Sequence, residues 1–208
     1  MYVLYFHPFS QHTRRVVALL EEAGLDYRTE IVDLQSGAHM APDYLAINPN
    51  HQVPTLVDGD IKIHESNAIL RYLCVKHGLD DWYPSDLKTR AAVEQWLDWG
   101  QCRLAPAVID IVFNSLFAGP RADKAAIARG QERLAELAPM LEAALEGRDY
   151  LTGDQPTIAD LAVWANVFHL TLAKAAPETP NIAAWLARMS ARPACARALP
   201  PPPERKSA

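Results

Sequence analysis

The sequence predicts an α/β domain over residues 1–78 followed by an all-helical domain over residues 87–199. Short β-branched and aromatic segments, which favour strands, are confined to the first third of the chain. Beyond residue 87 the apolar residues follow helical spacing almost throughout. Residues 79–86 combine polar residues with a proline and predict a linker. We expect the proline-rich, charged residues 200–208 to form a disordered tail.

The first domain alternates strands and helices in a definite order. Tyr2–Phe6 predicts a buried strand, His12–Gly24 an amphipathic helix and Tyr27–Asp33 a second strand. After a looser segment, Asp58-Gly59 between two apolar runs predicts a β-hairpin, and a helix follows over residues 68–77. This order of elements is that of a thioredoxin-like half-domain.

The second domain shows no convincing strand. Its four predicted helices are Leu87–Phe117, Asp123–Leu145, Ile158–Ala173 and Ile182–Ala191. Glycine and proline residues lie in the breaks between these helices, which is the pattern of an all-α domain.

Composition excludes several classes of protein. The 208 residues are 50% apolar and 22% charged, with a net charge of −5, which is ordinary for a globular protein and gives no basic face for nucleic acid. The three cysteines are widely spaced and odd in number, which favours a reducing compartment. No segment matches a leader peptide or a membrane span, so we expect a cytoplasmic protein without a membrane partner.

Val53-Pro54 precedes a predicted strand. Proline cannot donate to a sheet ladder, so it must lie at the entrance or the edge of that strand. In a thioredoxin-like half-domain this proline is usually cis, and the backbone N–H and C=O of the preceding residue can then pair with an extended peptide. An ordinary trans proline is the alternative, and base rates for X–Pro bonds alone would favour it.

Glu65 and Ser66 stand where a strand passes into a helix. Ser66 is a good helix N-cap, and that role alone would explain it. A helix N-terminus also favours an anion, while Glu65 can hold an ammonium group. A carboxylate site beside an ammonium site is what the amino-acid end of a ligand requires.

Ser10 lies between the first strand and the first helix. Ser10 or Thr13 could simply cap that helix. A hydroxyl at this position can also donate a hydrogen bond to a thiolate, which the helix dipole stabilises as well. Because only the thiolate is a good nucleophile, lowering the pKa of a bound thiol would constitute the catalysis.

These motifs together resemble the glutathione S-transferase family, most closely its theta-like, serine-type bacterial branch. The resemblance covers about residues 1–195. The stretches that carry it are Phe9-Ser10-Gln11 with Arg14 or Arg15, Ile31–Leu34, Asn48, Val53–Leu56, Asp58-Gly59, Glu65–Leu73, Trp82–Asp86 and Thr157–Leu161. In the last of these, Thr157 and Asp160 have the spacing of a capping box, which we interpret as structural.

The resemblance implies a detoxifying transferase that activates the glutathione thiolate to attack a small hydrophobic electrophile. Conjugation, dehalogenation and peroxide reduction are variants of that attack. Glutathione would be the co-substrate, no metal would be needed, and the protein would be a homodimer. The implied glutathione-binding positions are Ser10, His39, Gln52, Val53, Pro54, Glu65 and Ser66.

The family pattern gives each end of glutathione its own residues. Ser10 would bind the sulfur, and His39 and Gln52 would reach the glycine end. His39 could equally be a solvent-facing loop residue. Gln52 stands where many relatives have lysine, and a neutral amide attracts the glycine carboxylate less strongly.

The second substrate is expected between the two domains, where clefts commonly form. The candidate residues for this pocket are Phe9, His12, Trp99, Arg103, Val112, Phe113 and Leu116. Each could instead be a core or dimer-contact residue.

Other interpretations remain for some residues. Tyr5 lies where other branches of the family place an activating tyrosine, but its distance from the helix favours a core role. No cysteine is near position 10, which argues against disulfide-exchange chemistry. Cys74 and His77 alone are weak evidence for a metal site. A non-catalytic binding or assembly module with the same fold is the alternative function.

Overall fold

A computed structural model describes residues 1–200. The predicted tail lies outside these residues, apart from its first position. The chain divides into two compact units, the first formed by residues 1–69 with the helix Pro193–Arg197 and the second by residues 70–192. The linker at 79–86 and the domain limits beside it stay predictions.

The first unit contains a four-stranded mixed sheet. Its strands are β1 (Tyr2–Phe6), β2 (Tyr27–Ile31), β3 (Thr55–Asp58) and β4 (Ile61–His64). Their spatial order is β2-β1-β3-β4, with β1 parallel to β2 and β3 antiparallel to both β1 and β4. The βαβ unit and the hairpin predicted from the sequence are thereby confirmed.

Three helices connect or follow the strands. They are α1 (Gln11–Glu22), α2 (Pro42–Leu45) and α3 (Ser66–His77), with a 3-10 turn at Ala38–Met40. The 3-10 turn and α2 lie between β2 and β3, where the sequence predicts only a looser segment. The thioredoxin-like order holds, and the division between the two units falls within α3.

The second unit is helical, as predicted. Its helices are α4 (Leu87–Trp99), α5 (Ala105–Val112), α6 (Lys124–Ala144), α7 (Ile158–Leu172) and α8 (Pro180–Ser190). Within residues 1–200, none of the helices has the length and apolar character that crossing a membrane requires.

The single helix predicted over 87–117 contains two π-helical segments, Gly100–Leu104 and Phe113–Phe117. At the first of these, Asn166 of α7 donates its amide N–H to the carbonyl oxygen of Gly100 at 3.1 Å. The same carbonyl oxygen accepts from the backbone N–H of Ala105, five residues on, as a π-helical turn requires. The Asn166 bond is therefore an additional one, and it ties α7 to this segment.

Gly130 of α6 packs directly against α5. A Cβ at this position would lie 2.8 Å from Cγ1 of Ile111 and 2.9 Å from the carbonyl oxygen of Ala107, closer than real Cβ atoms approach. In an exposed helix, Gly→Ala normally stabilises by up to about 1 kcal/mol. Here we expect Gly130→Ala to destabilise by about 2 kcal/mol, because α5 and α6 must move apart.

Urea unfolding followed by circular dichroism measures this effect. Ala135→Gly, at an exposed position of the same helix, is the matched control and should cost about 1 kcal/mol through helix propensity alone. A gain in stability for Gly130→Ala would show that the two helices do not pack as closely as described.

Candidate functional site

The sheet topology gathers the predicted glutathione-binding residues at one end of the first unit. Since β3 is antiparallel to both β1 and β4, the carboxyl ends of β1 and β4 and the start of β3 lie at the same end. Thr55, the first residue of β3, pairs with Tyr5 on one side and His64 on the other. Pro54 therefore lies beside Glu65, which follows His64 directly.

Ser10 caps α1. Its Oγ accepts a hydrogen bond from the backbone N–H of Thr13 at 3.2 Å, which is the simple role that the sequence allowed. A hydroxyl has one donor and two acceptor positions, so the Ser10 O–H proton can still be donated to a ligand. The capping role and the thiolate-binding role are therefore compatible in one side chain.

The first turns of α1 carry two buried positive charges. Arg14 and Arg15 are both essentially inaccessible to solvent, and burial lowers the pKa of Arg14 to about 10 and that of Arg15 to about 9. The charge of Arg14 adds to the effect on Arg15. Both groups remain protonated at neutral pH, so they reinforce the positive end of the helix dipole on the side where Ser10 lies.

Arg15 also joins the two helices whose N-termini face the site. Its Nη1 donates a buried hydrogen bond of 3.0 Å to Oδ1 of Asn67, the second residue of α3. This bond links the helix that begins after Ser10 to the helix that begins after Glu65.

The peptide bond Val53-Pro54 is cis, as predicted. The backbone N–H and C=O of Val53 make no hydrogen bond within residues 1–200. The side chain of Val53 packs in a small cluster with Val32 and Tyr44, against which Ala38 also packs. Val53 thus has a fixed position and an unused donor and acceptor.

Glu65 and Ser66 form the start of α3. The helix begins at Ser66, so Glu65, with a φ of 67°, occupies the N-cap position that the sequence assigned to Ser66. The Glu65 carboxylate is exposed, and no hydrogen bond or ion pair engages it within the described residues. A free carboxylate thus lies beside a helix N-terminus, as the amino-acid end of a ligand requires.

His39 and Gln52 lie near Val53. His39 belongs to the 3-10 turn that Ala38 anchors on the Val53 cluster, and its Nδ1 is buried without a hydrogen-bond partner among residues 1–200. The Gln52 side chain is exposed, while its carbonyl oxygen accepts from Tyr44 at 2.5 Å and from Asn48 at 2.9 Å.

Sequence reasoning missed His51. Its ring centroid lies 6.3 Å from that of His39, and its φ of 48° is one that side chains other than glycine rarely adopt. Asn48 fixes this turn, because its carbonyl oxygen accepts from the His51 N–H at 3.0 Å. A histidine directly before Gln52 was visible in the sequence, but only the fold brings it to His39.

The predicted second-substrate residues fall in both units. Phe9 and His12 are half-buried at the start of α1 in the first unit. In the second unit Trp99 is half-buried, Arg103, Phe113 and Leu116 are exposed, and Val112 is fully buried. Arg103, Phe113 and Leu116 lie in the two π-helical segments, a distortion that often accompanies functional sites. The assignment of this pocket stays a prediction.

The described residues contain no group of three or more histidine, cysteine or acidic side chains arranged to hold a metal ion. Cys74, Cys102 and Cys195 form no disulfide within residues 1–200, and Cys102 is the exposed member of the three. Burial raises the pKa of the Cys74 thiol to about 12.

Two family models match this chain. The glutathione S-transferase N-terminal domain matches residues 1–74, and the glutathione S-transferase C-terminal domain matches residues 104–193. The first match covers the whole sheet and the site at its end.

Curated relatives extend over nearly the whole chain. Glutathione S-transferase F10 of Arabidopsis thaliana is 36% identical over 201 residues, covering 92% of this chain and 94% of the relative. Glutathione S-transferase 3 of Zea mays is 38% identical over 215 residues, covering 96% of each protein.

Solved structures of glutathione transferases also match this chain over nearly its whole length. Glutathione transferase F7 from Populus trichocarpa superposes with a TM-score of 0.88 at 34% identity, covering 95% of this chain and 97% of that one. The theta class glutathione S-transferase from Xanthomonas axonopodis pv. citri, with glutathione bound, gives a TM-score of 0.87 at 31% identity, covering 97% and 98%.

The branch predicted from the motifs needs correction. The first curated relatives are plant transferases of the phi (F) class, so the theta-like, bacterial assignment is not supported. The motifs identified the family but not the branch. Above the level of the branch the motifs, the fold and the relatives agree, and this chain belongs to the glutathione S-transferase family.

Proposed function

We propose that this protein is a glutathione transferase that uses Ser10 to stabilise the glutathione thiolate for attack on a small hydrophobic electrophile. The observation that carries the proposal is the convergence of three unused binding groups at one end of the sheet. These groups are the hydroxyl proton of Ser10, the backbone of Val53 and the carboxylate of Glu65 beside the N-terminus of α3.

The proposed chemistry is a single nucleophilic attack. The bound thiol releases its proton to solvent, and the Ser10 O–H, the α1 dipole and two buried arginines stabilise the sulfur anion. The thiolate then forms a bond to the electrophilic carbon, and with an aryl halide the halide departs with the bonding electrons. Glutathione is the co-substrate that leaves as part of the product.

Two assays test this function. The protein should be retained on glutathione resin, and it should conjugate glutathione to a generic aryl halide above the uncatalysed rate. A transferase-like binding module would give retention without conjugation. Failure to bind the resin and to conjugate any electrophile in a panel would exclude the enzyme.

We further assign the glycine end of glutathione to His39, Gln52 and His51. These three side chains can each donate a hydrogen bond and would there bind the carboxylate, since the rings of His39 and His51 lie close together. His51 adds a hydrogen-bond donor next to Gln52, whose neutral amide by itself attracts the carboxylate less strongly than a lysine would.

We expect His51→Gly to raise the KM for glutathione about fivefold, the loss of about one hydrogen bond, without loss of stability. Glycine adopts a positive φ without the cost that histidine incurs there, so the free energy of unfolding should stay equal or rise. Lys174→Gly, at another position of positive φ (54°), is the matched control. Lys174→Gly should have the same effect on stability and leave KM unchanged. Equal KM values for the unmodified protein and both variants would show that His51 does not bind glutathione.

The remaining assignments complete the proposal. Phe9 and His12 together with Trp99, Arg103, Phe113 and Leu116 are the proposed second-substrate residues. Supporting this, the second group includes two exposed apolar side chains, Phe113 and Leu116. Val112 is fully buried and would contribute to the core of the second unit rather than to the pocket. The protein would act as a homodimer in the cytoplasm, a compartment favoured by three cysteines that form no disulfide within the described residues.

A further inference from the structure

His7 is the residue that shapes the turn leading to Ser10. β1 ends at Phe6, and residues 7–10 form a turn in which the N–H of Ser10 donates to the carbonyl oxygen of His7 at 2.9 Å. This is the closing hydrogen bond of a four-residue β-turn, with Pro8 at the position that favours proline. The place of Ser10 therefore depends directly on His7.

The His7 side chain makes a second bond inside the same turn. Its Nδ1 accepts from the backbone N–H of Phe9 at 3.3 Å, and the His7 and Phe9 rings lie 6.2 Å apart. Asp, Asn and Ser commonly occupy this first turn position, where their side chains accept from the N–H two residues on. In this chain an imidazole nitrogen serves as the acceptor.

We propose that His7 is a positioning residue whose unprotonated Nδ1 holds the turn that presents Ser10 to the glutathione sulfur. The inference rests on the proposed function of Ser10. An imidazole nitrogen accepts a hydrogen bond only when it carries no proton, so the turn selects the neutral tautomer with its proton on Nε2. Protonation would place the Nδ1 proton against the Phe9 N–H and release the turn.

The surroundings of His7 favour the neutral ring at pH 7. Partial burial lowers the pKa of His7, and the negative charge of Asp33, which follows β2, offsets part of that shift. The net direction is downward, so the turn is intact at neutral pH and is lost as the pH falls through the lowered value. The predicted loss of activity is thus on the acid side.

The experiment compares two substitutions at His7. Asn places an acceptor that does not titrate at the same turn position, whereas Ala removes the acceptor. At about pH 7.5, where a histidine of ordinary pKa is neutral, we expect kcat/KM of His7→Asn within about twofold of the unmodified protein. His7→Ala should lose about tenfold, because the thiolate donor is misplaced.

The ratio of kcat/KM for the unmodified protein to that for His7→Asn should be constant at alkaline pH. It should fall on the acid side of the ordinary histidine pKa of about 6.5, because the pKa of His7 is lowered. Taking the ratio cancels the ionisation of the glutathione thiol, which both proteins share. His77→Asn, an exposed position on α3, is the control and should give a flat ratio. A flat ratio for His7→Asn as well would overturn the proposal.

Nitrogen NMR of the imidazole, in the protein without glutathione, reads the tautomer independently of catalysis. We expect the proton of His7 on Nε2 at neutral pH, with the signal assigned from its absence in His7→Asn. A proton on Nδ1 would overturn the proposal even in an active enzyme. Absence of conjugation with the expected tautomer would instead count against the proposed function.

Discussion

Ser10→Gly should lower kcat/KM for conjugation about 100-fold, the loss that follows removal of one donor to a developing or resident anion. The pKa of the bound glutathione thiol should rise by one to two units, equivalent to about 1.4 to 3 kcal/mol. The ultraviolet absorbance of the thiolate, followed against pH in the binary complex, measures that shift directly. Glycine is the informative substitution because Ser10 also caps α1 through the Thr13 N–H.

The choice of glycine separates capping from catalysis. Gly at an N-cap costs only a few tenths of a kcal/mol relative to Ser, whereas Ala costs about 1 kcal/mol. Ser10→Gly and Ser10→Ala should therefore differ in stability but share the loss of turnover. Ser10→Thr, which keeps the hydroxyl and the cap, should retain most of the activity. Ser85→Ala, at an exposed serine, controls for the assay.

An unchanged rate for Ser10→Gly would transfer the role of donor to Tyr5 or Gln11. Tyr5 packs against the cluster of Val32, Tyr44 and Val53, with its ring 5.9 Å from that of Tyr44. That packing favours the core role expected from its position in the chain. Titration of the bound thiol in Tyr5→Phe would decide between Tyr5 and Gln11.

Local sequence patterns predicted the parts of the site that depend on neighbours in the chain. The β-branched and aromatic character of Tyr2–Phe6, the turn at Asp58-Gly59 and the helix start after Ser10 each follow from a few adjacent residues. The cis peptide at Pro54 was predicted from the order of elements rather than from its own residues. The thioredoxin-like arrangement then brought these parts together.

The features that were missed depend on contacts between distant segments. In the sequence, His51 is only a loop residue. Packing of Ala38 against the Val53 cluster brings the turn Ala38–Met40, and with it His39, next to His51. The interruption of the helix at Gly100 is accompanied by a bond from Asn166, which is 66 residues further along the chain. Periodicity within one segment carries no signal for either feature.

Asp160→Ala should cause the largest loss of stability in the second unit, about 4 kcal/mol. The carboxylate is fully buried and accepts four hydrogen bonds, from the N–H of Leu151, the N–H and hydroxyl of Thr157, and Nε1 of Trp185. Removing it leaves several buried donors without an acceptor, at about 1–3 kcal/mol each, and it also breaks the capping box of α7. A loss of this size is a large part of the 5–15 kcal/mol typical of a domain.

Asp160→Asn tests whether the stability of the second unit requires a carboxylate at this position or only a polar side chain of the same shape. An amide has one oxygen, so its NH2 group must face either the Leu151 and Trp185 donors or the Thr157 N–H. We expect about half the loss of the alanine variant, measured as the shift in the urea midpoint at constant slope. Asp154→Asn, the same change at an exposed aspartate six residues earlier, should stay within about 0.5 kcal/mol of the unmodified protein. Equal urea midpoints for Asp154→Asn and Asp160→Asn would contradict this prediction. They would mean that the second carboxylate oxygen of Asp160 contributes nothing and that an amide of the same shape is enough to cap α7.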